Sequence, residues 1–181
     1  EKGLAVMVSL IIHCGFRIGN EKYKKDNKSY GISTLECRHI SLKNNEAEIK
    51  FRGKKGVENC SILQNKDILS YLEYKLKNKK ETDAVFTYIL KDIEYKISSN
   101  EVNEYIKSLS EHKTGIEITS KDLRTWNANH LFLKFINKDN VLREKNPIKT
   151  AIEMVAHELH NTPAVCKSNY LHPEMIEYVH N

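Results

Sequence analysis

No Cys-x-x-Cys pair occurs in this chain, and its four cysteines, Cys14, Cys37, Cys60 and Cys166, stand far apart. Neither a thiolate zinc cage nor a disulfide framework is indicated, and reduced thiols in a cytosol-like compartment are expected. A long hydrophobic run is also missing. Leu4 to Ile12 is apolar for about ten residues, roughly half of what a bilayer-spanning helix requires, and no small-residue cleavage site follows it. That stretch therefore reads as a buried helix, with no membrane contact expected. There is no Gly-x-x-x-x-Gly-Lys-Ser/Thr loop to cradle a nucleotide's phosphates, no internal repeat and no low-complexity tract. His157 and His160 are three apart, where a zinc-protease helix needs four, and no third ligand is in view. Neither a metal nor a cofactor is expected.

What is present suits one compact domain, residues 1–181, with one core and a small annexed sheet: 181 residues, 40% of them hydrophobic. Lys plus Arg number 29 against 24 for Asp plus Glu, a net charge of +5 and a pI near 8.9. That mild excess suits a polyanionic partner without demanding one. Because the chain opens on Glu1 and enters a helix at once, an N-terminal portion is expected to precede it.

Residues 4–15 predict a helix that stops near Gly15 and delivers Arg17 at its end. From about 32 to 63 apolar residues alternate: Cys37, His39, Ile40 and Leu42, then Ala47, Ile49 and Phe51, then Val57, Cys60, Ile62 and Leu63. Asn44-Asn45 and Gly53-Lys54-Lys55-Gly56 are turn sequences, so a three-stranded antiparallel meander with Lys54 at a hairpin tip follows. Helical spacing returns at Ile68, Leu69, Leu72 and Leu76, closed by the lysine-rich run Lys75–Lys80. Ser99 or Asn100 can cap a helix through Leu109, Thr119 or Ser120 another through Phe135, and Asn146-Pro147 starts one through Leu159. Trp126, Phe132 and Phe135 lie at helical spacing and read as core. The fold class is mostly helical α+β with a small antiparallel sheet.

Cleaving a phosphodiester with a tyrosine makes three demands, and each selects a residue type. Charge growing on the non-bridging oxygens suits arginine, whose planar fork gives two permanently charged donors; Arg17 and Arg124 are the candidates. The phenol must lose its proton, and neighbouring cations pull a free tyrosine's pKa down from about 10. The departing alkoxide must gain a proton, which Lys54 on a hairpin tip could bring. Tyr170, in Thr162-Pro163-Ala164-Val165-Cys166-Lys167-Ser168-Asn169-Tyr170, is the candidate nucleophile.

These segments resemble those of type IB DNA topoisomerases, most closely the small poxvirus-type enzymes of viruses and bacteria, whose fold is shared with tyrosine recombinases. Arg17-Ile18-Gly19-Asn20-Glu21 through Tyr23, followed by Ser29-Tyr30-Gly31 and Thr34-Leu35, resembles the first arginine segment. Gly53-Lys54 resembles the hairpin lysine, Lys121-Asp122-Leu123-Arg124-Thr125 the second arginine helix, and Asn161-Thr162-Pro163-Ala164-Val165 through Tyr170 the nucleophile segment. The resemblance implies ATP-independent relaxation of supercoiled DNA through a 3′-phosphotyrosyl intermediate, with Lys121 assisting Lys54. It also implies a smaller N-terminal clamp domain, absent from this chain. Poxvirus-type members carry a histidine nine positions before the nucleophile, where this chain has Asn161. An amide N–H can donate equally well, so the role goes to Asn161, with His160 a possible substitute. Tyr23, at the end of the first arginine segment, is a further candidate site residue.

Taken singly, each feature has a plainer explanation. An arginine near a helix end commonly serves a surface ion pair, Lys54 and Lys55 could be solvated hairpin residues, and a tyrosine before a short helix commonly packs half-buried. The lysines from Lys75 to Lys80 could be a solvated helix end or phosphate contacts. A tyrosine recombinase is the nearest rival; it normally shows His-x-x-Arg where this chain has Lys121-x-x-Arg124. A non-catalytic DNA-binding domain of the same fold is the other. The partner expected is double-stranded DNA, met by a monomer inside the cell.

Overall fold

Helix α1 (Lys2–Cys14) buries Val6, Met7, Leu10, Ile11 and Cys14, positions that fall on one face of a 3.6-residue period. It ends at Gly15, and Phe16 immediately enters the core, fully buried. The computed structural model describes residues 1–180 and divides into two compact units, Glu1–Ser120 and the remainder from Lys121.

In the first unit α1 is followed by α2 (Glu21–Asn27) and then by a meander of β1 (Ile40–Lys43), β2 (Glu46–Arg52) and β3 (Glu58–Leu63), antiparallel in the order β1-β2-β3. Ile40 faces Ile49 and Ala47 faces Leu63 in register. The turn at Asn44-Asn45 has both residues at positive φ, 52° and 60°, the geometry that matches the right-handed twist of a two-residue hairpin. The first strand is shorter than the alternation predicts. Cys37–His39 forms a single 3-10 turn, its Cys37 and Arg38 amides donating to the Asp83 and Glu81 carbonyls. Those long-range bonds outweigh local alternation.

Helix α3 (Lys66–Leu76) is capped by Asn65, whose side chain accepts from the Asp67 and Ile68 amides. A second hairpin, β4 (Thr87–Leu90) and β5 (Ile93–Lys96), was not expected; its turn, Lys91-Asp92, holds both residues at positive φ without a glycine. It explains part of the lysine-rich run. Lys75 of α3 donates to the Thr87 carbonyl at 2.6 Å and Lys79, three residues past the helix end, pairs with Glu94, so these two lysines hold the hairpin to α3 and the turn that follows it. Helix α4 (Ser99–Thr114) follows, capped one residue earlier than predicted, by Ser98 in a capping box with Glu101. Within this unit α1 packs against α3 and α4.

The second unit holds α5 (Ser120–Ile136, entering from the first), α6 (Asp139–Leu142), α7 (Pro147–Glu158), α8 (Pro163–Asn169) and α9 (Pro173–His180). Asn146 and Thr162 cap α7 and α8, each with a proline in the first turn, where its missing N–H costs nothing. Ala128, Phe132, Phe135 and Ile136 of α5 meet Ile152, Val155 and Ala156 of α7 in one buried cluster. The core reading of Trp126 is overturned: the indole is 62% exposed. It stacks on His130 at 5.4 Å, because two residues from both Arg124 and Ala128 is the opposite side of the helix. Leu133 is also exposed. No helix among the described residues is long and apolar enough to cross a membrane.

Candidate active site

The candidates divide between the units: Arg17, Tyr23 and Lys54 in the first, and Lys121, Arg124, His160, Asn161 and Tyr170 in the second.

In the first unit Arg17 is half-buried and follows the fully buried Phe16. Its backbone is tied to a second segment, the Ile32 amide donating to the Arg17 carbonyl at 3.0 Å and the Ser33 amide to the Ile18 carbonyl at 2.7 Å. Gly19 and Gly31 cross at this tie so closely that a Cβ on Gly19, whose φ is 83°, would lie 2.7 Å from the Gly31 Cα. That crossing admits no side chain on either strand. Asn20 then caps α2 by accepting from the Lys22 amide, so the Gly-Asn pair in the motif turns the chain and starts a helix. Tyr23 on that helix is 56% exposed.

Lys54 lies exposed at the β2–β3 tip, as the turn sequence predicts. The tip is closed by the Gly53 amide donating to the Val57 carbonyl at 2.7 Å and the Gly56 amide to the Gly53 carbonyl at 3.1 Å. Under it, the 2% exposed Asn59 donates to the Val57 carbonyl at 3.0 Å and occupies the space a side chain on Gly53 would need. Arg17 and the Lys54 hairpin share a foundation. Phe16 meets Phe51 edge-on at 4.9 Å, and the Tyr30 amide donates to the Arg52 carbonyl at 2.8 Å, one residue from the Gly31–Ile32 tie to Arg17.

In the second unit the structure brings Arg124, Tyr170 and the end of α7 together. Arg124 is 3% exposed on α5, and its guanidinium carbon lies 5.1 Å from the Tyr170 ring centroid, within cation–π range. Its Nη2 donates to the Leu159 carbonyl at 3.1 Å, a group α7 leaves over at its negative end. That end is a Schellman turn: the His160 amide donates to the His157 carbonyl at 3.0 Å and the Asn161 amide to the Ala156 carbonyl at 2.8 Å. His160 holds the left-handed position at φ 52°, usually glycine's, and so directs the chain from α7 through Asn161 into α8. Tyr170 closes α8 half-buried against the cluster of α5 and α7. Beside it, burial pushes the Cys166 thiol up to about 11, with the Arg124 charge pulling the other way. Lys121 is exposed, one turn before Arg124 on α5.

One residue of this arrangement was not foreseen. Asn129, one further turn along α5, donates from Nδ2 to the Tyr170 carbonyl at 2.8 Å and to the Thr125 carbonyl at 2.8 Å. Its Oδ1 accepts from the His172 amide at 2.9 Å. A single amide thus grips the backbone on both sides of Leu171 and fixes the tyrosine's departure from α8. The available signal was a poor helix former in a helix interior. No group of three or more His, Cys, Asp or Glu able to hold a metal occurs among the described residues.

The family described as "Eukaryotic DNA topoisomerase I, catalytic core" matches residues 1–181. DNA topoisomerase 1B of Acanthamoeba polyphaga mimivirus is 28% identical over 190 residues, covering 98% of this chain and 55% of the relative. DNA topoisomerase I of Monkeypox virus is 31% identical over 181 residues, covering 97% and 53%. The chain therefore spans about half the length of the curated relatives it matches. Among solved structures, XerH site-specific recombinase in a post-cleavage complex superposes with a TM-score of 0.63 at 14% identity, over 99% of this chain and 45% of that one. XerA recombinase gives 0.60 at 15%, over 99% and 56%. At those identities the likeness is one of fold.

Proposed function

The chain belongs to the DNA topoisomerase I catalytic-core family, and from that premise we propose that it cleaves and rejoins one strand of duplex DNA through Tyr170. The observation that carries the proposal is the seating of a buried arginine, Arg124, over the ring of that tyrosine at 5.1 Å. Both are anchored: Arg124 to the Leu159 carbonyl and Tyr170 to Asn129. The phenolic oxygen attacks phosphorus, the bond to the 5′ oxygen breaks, and a 3′-phosphotyrosyl ester forms. The phenol's proton leaves to solvent, and the 5′ oxygen takes one from Lys54, with Lys121 assisting. Arg17 and Arg124 donate to the non-bridging oxygens as charge grows on them, and Asn161 supplies a further donor, with His160 as its substitute. Tyr23, exposed on α2 in the segment that follows Arg17, is a further candidate of the same site. Ester exchange conserves the free energy of the bond, so the freed end swivels and rejoins without ATP.

Residues 1–181 form the catalytic part of a longer protein, whose N-terminal clamp domain closes on the other side of the duplex. The protein works as a monomer, inside the cell where DNA is. Grip is mainly through phosphates, so affinity falls steeply with salt. Lys121-x-x-Arg124, where recombinases normally carry His-x-x-Arg, favours relaxation over recombination. The test is a negatively supercoiled plasmid without ATP or divalent metal. Stepwise relaxation by a monomer supports the proposal, whereas joining of two defined sites by a tetramer supports the recombinase, and inertness with intact DNA binding supports a non-catalytic domain.

A further inference from the structure

Helix α2 buries no side chain, although a seven-residue helix ordinarily depends on packing for its stability. It belongs to an excursion, Asn20 to Tyr30, that leaves and rejoins the first unit at the Gly19–Gly31 crossing. Its ion pair with the hairpin, Glu21 to Lys96 at 3.4 Å, joins two half-exposed side chains and is screened by solvent. One further tie is sheltered. Lys24 of α2 meets Glu36 at 2.9 Å, their side chains 19% and 8% exposed, and Arg38 meets the second oxygen of the same carboxylate at 2.7 Å.

The ring of Tyr30, last residue of the excursion, lies under both cations, 5.6 Å from Lys24 and 5.9 Å from Arg38, and its hydroxyl accepts from Arg38 at 2.9 Å. Glu36 itself is firmly placed. Its amide donates to His39 Nδ1 at 3.0 Å, and the turn after it is bonded to the Glu81 and Asp83 carbonyls. Burial alone would raise its carboxyl, but the hydrogen bond and charge of Lys24, joined by Arg38, outweigh this and hold it below the ordinary carboxylate value.

We propose that Glu36 is a positioning residue, a latch that holds Lys24 and Arg38 and thereby fixes the α2 excursion that follows Arg17 and carries Tyr23. The catalytic side of this inference rests on the strand-cleavage function proposed above. Glu36→Gln opens the latch and adds one unit of positive charge, so the two consequences separate. Attraction to phosphates is kept or strengthened, while cleavage slows because the arginine segment's continuation is no longer held in the geometry that transfer requires.

The experiment compares wild type, Glu36→Gln, Lys24→Met and the double variant by amide hydrogen exchange, and then by binding and single-turnover cleavage of a nicked duplex. Exchange over residues 21–30 is expected to rise roughly tenfold in each single variant, with α1 and β1–β3 unchanged and the double variant no worse than either single one. Cleavage by Glu36→Gln is expected to fall about tenfold at undiminished affinity, with partial recovery in Glu36→Asp. Unchanged exchange in α2, equal loss of protection throughout the unit, or affinity falling in step with cleavage would overturn the latch. A wild-type protein that never cleaves would refute the strand-cleavage function, and the exchange comparison would still decide whether Glu36 holds α2.

Discussion

Replacing Asn129 with alanine removes three hydrogen bonds at once, those to the Tyr170 and Thr125 carbonyls and from the His172 amide. At about 1 kcal/mol net for each bond, and with Asn129 only partly buried, the expected loss of stability is about 2–3 kcal/mol. For a chain of this size each kcal/mol moves the melting temperature by about 2–4 °C, so a fall of roughly 5–10 °C is expected in a thermal scan. Adduct formation should suffer more than stability, because a misplacement of about 1 Å in a reacting group can cost about a hundredfold in rate. Asn129→Asp sharpens the comparison. It keeps the acceptor for the His172 amide but turns an oxygen toward two carbonyls, each 2.8 Å from the present donor. It should therefore be at least as harmful as alanine, though aspartate is closer in shape. An aspartate variant melting within about 1 °C of wild type and forming adduct at the normal rate would refute this account of how Tyr170 is held.

His160 occupies a left-handed position at φ 52°, so His160→Gly should hold or raise stability by up to about 1 kcal/mol and leave cleavage near wild type. Asn161→Ala should slow cleavage by tenfold or more, and the reverse pattern in single-turnover assays would move the donor role to His160. Burial raises the Cys14 and Cys166 thiols from 9.0 to about 11. Unfolded thiols release protons first as pH climbs, so the contribution of these two to stability is constant below pH 9 and declines between pH 9 and about 11. Urea titrations at pH 8 and pH 10.5 should show that decline, and Cys14→Ala and Cys166→Ala should reduce it; an equal decline in those variants would count against the assignment.

Much of the fold was legible because its signals are local. The apolar face of α1, the Asn44-Asn45 turn and the Asn146-Pro147 and Thr162-Pro163 starts each act within a few residues of themselves. The β4–β5 hairpin escaped because its turn lacks glycine and its apolar residues, Ile89, Leu90 and Ile93, face solvent, so no inside-outside alternation marks it. Helical spacing groups Trp126 with Phe132 and Phe135, yet only the two phenylalanines are buried, because Trp126 sits on the side of α5 opposite Arg124 and Ala128. At the site, the four motifs pointed to the candidate side chains in each unit. What holds them was hidden, since Asn129 reaches a carbonyl 41 residues away and Glu36 draws on bonds from the Glu81–Asp83 segment. Hydrogen bonds across such distances leave no periodicity to read.

In the proposed cleavage step Tyr170 becomes covalently joined to DNA. A duplex labelled on the scissile strand, nicked so that the leaving fragment diffuses away, is incubated with wild type and with Tyr170→Phe, then resolved by denaturing gel and peptide mass spectrometry. Wild type should give a labelled protein band whose modified peptide carries a 3′-phosphodeoxynucleotide on Tyr170, and the phenylalanine variant should bind DNA but give none. A covalent band persisting in Tyr170→Phe, or mapped to another residue, would contradict the account.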